Sequence, residues 1–154
     1  MIWLVGAGTV LLGVTLRTWA QQHLRHRLQA PLRLTTTGPF QFVRNPLYLG
    51  NLLLCVGATI TSQVLWLVPV TLFWCLGIFS LVVRYEEAHL RQHYGEPYRR
   101  YFAEVPRWFP RSFRLRNLGL VNESFRRAVR AELPCLLILF SYILKALAAR
   151  WFQP

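Results

Sequence analysis

Four stretches of the chain are almost free of charge: Ile2 to Leu16, Leu47 to Thr61, Val64 to Val83, and Leu133 to Ala149, where Lys145 is the exception. Polar and basic residues crowd into the segments between them. Some of these stretches fall short of the roughly 20 residues that span a bilayer. Flanking Thr, Trp, Gln and Arg extend them, because long side chains snorkel toward water. The pattern predicts an all-α, polytopic membrane protein. About four transmembrane helices are joined by cytosolic connecting helices, in one integral membrane domain over residues 1–154. A soluble bundle of four buried helices is the alternative.

Turn and cap signals divide the chain further. The first helix is expected to run past Arg17 as a basic extension and to end before Pro31, with His23 and His26 in solvent. Pro31 to Gly38 is a loop, and Gly38-Pro39 a turn. Asn is a favoured helix N-cap and Pro a favoured first residue, so Asn45-Pro46 opens the second helix. Its first N–H groups have no partner on the helix and face the loop. Gly50 and Gly57 share one face of that helix and permit close packing. Thr61-Ser62-Gln63 allows only an antiparallel hairpin. Pro69 is expected to kink the third helix near its outer end. That helix continues through Arg84, Glu86, Glu87 and His93 and stops at Gly95, a good C-terminal cap. Pro97 starts a short helix with Tyr98 and Tyr101 on one face, which Pro106 and Pro110 end. Val121, Phe125, Ala128 and Val129 make an apolar stripe beside Arg126, Arg127 and Arg130, the pattern of a helix lying in the interface plane. Pro134 then opens the fourth membrane helix.

The 154 residues are 54% hydrophobic yet carry a net charge of +12, which is consistent only with segregation of the two kinds of residue. Arg17, Arg25, Arg27, Arg33 and Arg44 lie between the first and second stretches, with no acid among them. Eleven more Arg run from Arg84 to Arg130. Positive-inside reasoning places both basic segments in the cytoplasm and both termini on the other side. The same Arg surplus meets anionic headgroups, so nucleic acid is not needed to explain it. The first stretch lacks a basic leader and a small-x-small cleavage site and reads as a retained helix. Cys55, Cys75 and Cys135 lie inside apolar stretches with no CxxC or Cys/His cluster, so no metal site is expected.

Three features carry candidate chemistry. The start of the second helix attracts anions, and Arg44 beside it can add a bidentate contact. Taken alone, Arg44 could equally meet lipid headgroups. Glu86 and Glu87 are adjacent on a helix and point about 100° apart. One can face a pocket while the other pairs with Arg84 or Arg91. Tyr48, Tyr94, Tyr98 and Tyr101 form an aromatic set that an interfacial belt would also explain. His89 and His93 share a helix face but lack a third ligand.

Taken in order, several runs resemble the isoprenylcysteine carboxyl methyltransferase and phospholipid methyltransferase superfamily. They are Gly38-Pro39-Phe40, Arg44-Asn45-Pro46-Leu47-Tyr48-Leu49-Gly50, Glu86-Glu87, Tyr94-Gly95-Glu96-Pro97-Tyr98 and Val105-Pro106-Arg107. The match covers residues 32–110, a methyltransferase core, and leaves 111–154 as an interfacial helix and a C-terminal transmembrane helix. The resemblance implies an integral membrane enzyme that uses S-adenosyl-L-methionine at the cytosolic edge and a lipophilic, membrane-embedded acceptor. It implies cofactor contacts from Leu34, Thr35, Gly38, Phe40, Arg44, Asn45, Pro46, Tyr48, Glu87 and Tyr98. It implies catalytic roles for Arg84, Glu86 and Glu87, with Arg84 and Glu86 bordering the acceptor channel. Asn45 departs from the family's His; it can hydrogen-bond but cannot titrate near neutral pH. A phospholipid amine would need a base, for which Glu86 or Glu87 is the candidate, whereas an isoprenylcysteine-like thiolate or carboxylate would not. An NADPH-dependent sterol-reductase-like enzyme and a non-catalytic membrane scaffold are the competing readings.

Overall fold

In the computed structural model, residues 2–29, 34–111 and 125–151 are described. They form five α-helices and one 3-10 turn, with no strand among the described residues. Helix α1 is Ile2–Gln29, the 3-10 turn Gly38–Gln41, α2 Pro46–Thr61, α3 Leu67–Tyr94, α4 Glu96–Glu104 and α5 Phe125–Trp151. The expected all-α architecture is present. Among the described residues, two helices, Ile2–Leu24 within α1 and Leu67–Tyr94, are long and apolar enough to cross a membrane, fewer than the four expected. Helix α2 has 16 residues, about 24 Å at 1.5 Å per residue, short of the roughly 30 Å hydrocarbon layer. The first two turns of α5 carry Arg126, Arg127, Arg130 and Glu132.

Helices α1 and α2 approach each other closely, and glycines allow it. A Cβ at Gly13 would stand 2.9 Å from the Gly50 carbonyl oxygen, and one at Gly50 only 3.1 Å from that of Gly13. Seven residues further along each helix, a Cβ at Gly57 would meet Val10 Cγ2 at 2.7 Å and the Gly6 carbonyl at 2.9 Å. The two antiparallel backbones therefore touch at both glycine pairs, the arrangement that small residues provide between membrane helices. Val10 and Val14 are buried there, with Leu54 and Leu136 against them.

A buried polar knot ties α5 to this pair. Glu132 is fully buried. It accepts hydrogen bonds from Arg17 Nε at 3.0 and 3.1 Å and from Gln21 Nε2 at 2.5 Å. Arg17 also donates to Asn51 Oδ1 on α2. Burying a carboxyl group is costly unless it is paired and hydrogen-bonded. The interfacial helix and the fourth membrane helix expected from sequence are one helix, α5, which passes through Pro134 without ending. Val121 lies outside the described residues.

The other boundaries follow local chemistry. Helix α2 opens at Pro46 as expected. Helix α3 begins at Leu67, so Pro69 falls in its first turn, where no N–H is required, rather than at an internal kink. Gly95, at φ +59°, ends α3 and starts α4. Large apolar side chains stand outward along α3, Phe73, Trp74, Leu81 and Tyr85 among them.

Candidate active site

The loop before α2, the start of α2, the polar end of α3 and the helix α4 meet around a hollow with about 500 Å³ of empty space, part of it open to solvent. Its lining is Leu24, Leu34, Thr35, Phe40, Arg44, Asn45, Pro46, Leu47, Tyr48, Glu86, Leu90, Tyr98 and Tyr101.

The 3-10 turn delivers Phe40. Gly38 takes φ +61° and lies on the ring of His23; a Cβ there would come within 2.5 Å of His23 Cε1 and Nε2. His23 is buried, not solvated as expected. Its Nδ1 is 2.9 Å from the Trp19 carbonyl oxygen, which can only accept, so Nδ1 carries the proton. From the other side, Tyr101 Oη donates to the Phe40 carbonyl at 2.8 Å. The backbone N–H of Arg44 donates to the Pro106 carbonyl at 2.9 Å.

The two adjacent carboxylates part company. Glu86 lines the hollow and accepts from Tyr48 Oη at 3.1 Å. Among the described residues no guanidinium pairs with it. Glu87 turns away from the hollow and is buried. It takes Arg107 Nη2 at 2.5 Å and Arg107 Nε at 3.2 Å. Asn45 Nδ2 donates to it at 3.3 Å. Arg44 Nε lies 3.1 Å from Glu87 Oε1, an ion-pair distance, although its N–H is not aimed at the oxygen. The expected partners Arg84 and Arg91 are replaced by Arg44 and Arg107, which reach Glu87 from other segments. Arg91 instead lies over the ring of Phe102 at 4.0 Å, and Arg44 lies against the same ring at 3.7 Å.

Arg44 is therefore committed to protein groups. Besides Glu87 and Phe102's ring, its Nη1 donates to the Phe102 carbonyl at 2.6 Å. It borders the hollow but is not a free anion clamp. Asn45 gives its amide to Glu87 and makes no side-chain cap. The first N–H that closes on the helix is that of Leu49, to the Asn45 carbonyl at 3.2 Å. The N–H groups of Leu47 and Tyr48 have no hydrogen-bond partner among the described residues.

The buried tyrosines are neutral. Tyr98 is pushed up to about 12, first by burial and then by the negative charge of Glu87. Burial also raises Tyr101. These two rings form core rather than an interfacial belt. The hydrogen bond to Glu87 raises Arg107 above its ordinary value, so this cation stays charged.

The structure thus brings Leu34, Thr35, Phe40, Arg44, Asn45, Pro46, Tyr48, Glu86 and Tyr98 to one hollow. It leaves out three residues expected there. Arg84 is exposed on α3. Gly38 is buried as the first residue of the turn, against the ring of His23. Glu87 lies behind the lining. Leu24, Leu47, Leu90 and Tyr101 line the hollow without having been assigned. Leu90 sits four residues after Glu86 and Tyr101 three after Tyr98, spacings that share a helix face; Leu24 carries no such signal.

No solved structure matches the chain. The chain is similar to the nickel-cobalt-cadmium resistance protein NccN of Alcaligenes xylosoxydans xylosoxydans, 30% identical over 124 residues. That match takes in 76% of this chain and 57% of the relative, so the chain spans little more than half of that protein's length. The phospholipid methyltransferase family matches over residues 1–97, which takes in α1, the 3-10 turn, α2, α3 and the carboxylate pair. The chain belongs to the phospholipid methyltransferase family.

Proposed function

We propose that the protein is an S-adenosyl-L-methionine-dependent methyltransferase that acts on a lipophilic acceptor held in the membrane. The observation that carries this reading is the hollow at the start of α2, with Glu86 as its one carboxylate unopposed by a guanidinium among the described residues.

The lining suits the cofactor on three counts. Leu34, Phe40 and Pro46 offer apolar surface for a flat heterocycle. The N–H groups of Leu47 and Tyr48, at a helix N-terminus, favour a carboxylate. Glu86 has acceptor capacity beyond its bond to Tyr48 for ribose hydroxyls or an ammonium. When bound, S-adenosyl-L-methionine supplies an electrophilic methyl group on a sulfonium.

The chain's own work is alignment and exclusion of water. Tyr48 fixes the Glu86 carboxylate, and an amine acceptor could pass its proton to that group. Glu87 takes no part in the chemistry. It holds Arg44 and Arg107 and thereby fixes the start of α2 against the segment after α4. Alignment of nucleophile, methyl and leaving group accounts for most of what a protein adds to an in-line displacement.

The family and the two apolar helices support a membrane location. We extend this to a multi-pass arrangement with the hollow on the cytoplasmic side, from the Arg-rich segments that flank it. The acceptor is then an amine-bearing phospholipid or an isoprenylcysteine-like thiol or carboxylate. A second reading follows the resistance protein: the methylated membrane component would serve tolerance of metal ions.

Incubation of the purified protein with methyl-labelled S-adenosyl-L-methionine and a total lipid extract tests the activity and identifies the acceptor from the labelled product. Calorimetry with S-adenosylhomocysteine and with NADPH tests the site. Binding of the first alone is expected. Binding of NADPH alone would favour a reductase, and binding of neither a scaffold.

A further inference from the structure

Helices α2 and α3 form an antiparallel hairpin, and one hydrogen bond fixes its register. Thr59 Oγ1 and Thr71 Oγ1 lie 3.0 Å apart across it. One turn farther from the connecting bend means four residues back on α2 and four forward on α3. That step arrives at Cys55 and Cys75. The register therefore sets Cys55 opposite Cys75 across the hairpin. Both are free, Cys75 buried and Cys55 half-buried. The same seam continues to Tyr48, whose ring packs on Phe79 with centroids 5.7 Å apart. Cys55 is seven residues from Tyr48, about 10 Å along the helix. The thiol pair thus lies below the floor of the hollow, on the face that supports it.

We propose that Cys55 and Cys75 form a two-thiol site for a thiophilic d10 metal ion held across the α2–α3 hairpin. Sulfur ligands select soft ions. Among the described residues no group of three His, Cys, Asp or Glu is placed to hold a metal. The pair therefore suits an ion content with two sulfurs, not one such as Zn²⁺ that asks for four ligands. Charge points the same way. Each thiol gives its proton to water and forms one metal–sulfur bond, and no oxidation state changes. With a divalent ion the product is as neutral as the two thiols were, and an apolar hairpin tolerates neutral groups best. The site would clamp α2 to α3 one turn inside the threonine pair.

The test uses the full chain, reduced, in detergent, with Hg²⁺ as the probe. The ion is added with a large excess of a monothiol, which strips it from single cysteines but not from a preformed pair. After desalting, bound mercury and its thiolate charge-transfer absorbance are measured. The wild-type chain is expected to keep one ion. Cys55→Ser and Cys75→Ser should each lose it, and Cys135→Ser should keep it. Circular dichroism identifies any variant that fails to fold, and Cys55→Ala and Cys75→Ala then replace it. Loss of the ion from the wild-type chain, or retention in a folded variant lacking Cys55 or Cys75, overturns the proposal.

Discussion

Replacing Glu87 by Gln separates a structural carboxylate from a catalytic one. The change keeps the side chain's shape and removes its charge. In the wild-type chain the Glu87 side chain is 5% exposed, and its partners Arg44 and Arg107 are 7% and 28% exposed. Removing one member of a buried ion pair costs about 3–5 kcal/mol, because the other charge is left out of water without a counter-ion. Arg107 reaches solvent and contributes little of this. Arg44 does not reach solvent, but it keeps the Phe102 carbonyl at 2.6 Å and the Phe102 ring at 3.7 Å. Those contacts place the cost at the lower end, about 3 kcal/mol, or roughly a hundredfold in the folded-to-unfolded ratio. Arg107→Gln leaves Glu87 beside Arg44 and removes only the more exposed cation, so it should cost about 1 kcal/mol.

The assay is thermal unfolding of the full chain in detergent, with and without S-adenosylhomocysteine, alongside methyl transfer below the unfolding temperature. Glu87→Gln should unfold well below the wild-type chain and Arg107→Gln slightly below it. The Glu87→Gln chain that remains folded should still transfer methyl groups. If Glu87→Gln unfolds at the wild-type temperature and yet loses activity, Glu87 acts on the reactants and the division between the two carboxylates is wrong.

Other changes probe the hollow and its supports. Glu86→Gln should abolish transfer to an amine acceptor while changing stability by less than about 1 kcal/mol, since Glu86 is only partly buried; paired melts and rate measurements check this. Gly57→Ala forces a methyl group onto Val10 and the Gly6 carbonyl, an overpacking cost of about 1–3 kcal/mol. Gly77→Ala has nothing within 4 Å and should gain up to about 1 kcal/mol from helix propensity; parallel melts compare the two. Tyr98 titrates near 12 in the folded chain against an ordinary 10.0. A raised acid favours the folded state while it is neutral, so its contribution is whole below pH 10.0 and disappears as pH rises through about 12. Phenolate absorbance of the wild-type chain minus that of Tyr98→Phe should show one tyrosine that ionises late.

What was legible in the sequence was what neighbours in the chain decide. Asn45-Pro46 opens α2, Gly95 closes α3 and Pro97 sits in the first turn of α4 because each residue sets its own backbone. The 100° step between Glu86 and Glu87 foretold that one would face a pocket and the other a cation. Which cation was not foretold. Arg107 arrives from beyond α4, and only packing brings it to Glu87. The burial of His23 was hidden for the same reason, since its cover is a glycine fifteen residues away. Pro134 shows a local rule overruled: it removes one helical hydrogen bond, yet α5 runs on. Glu132, two residues earlier, is fixed on α1 by Arg17 and Gln21, so the axis of α5 is already set before the proline is reached. The same division explains the site. The loop before α2 and the start of α2 contribute most of the lining and could be read from one short run. The groups that lock them in place, Tyr101, Phe102, Pro106 and Arg107, come from the other side of two helices and needed the fold to reveal their part.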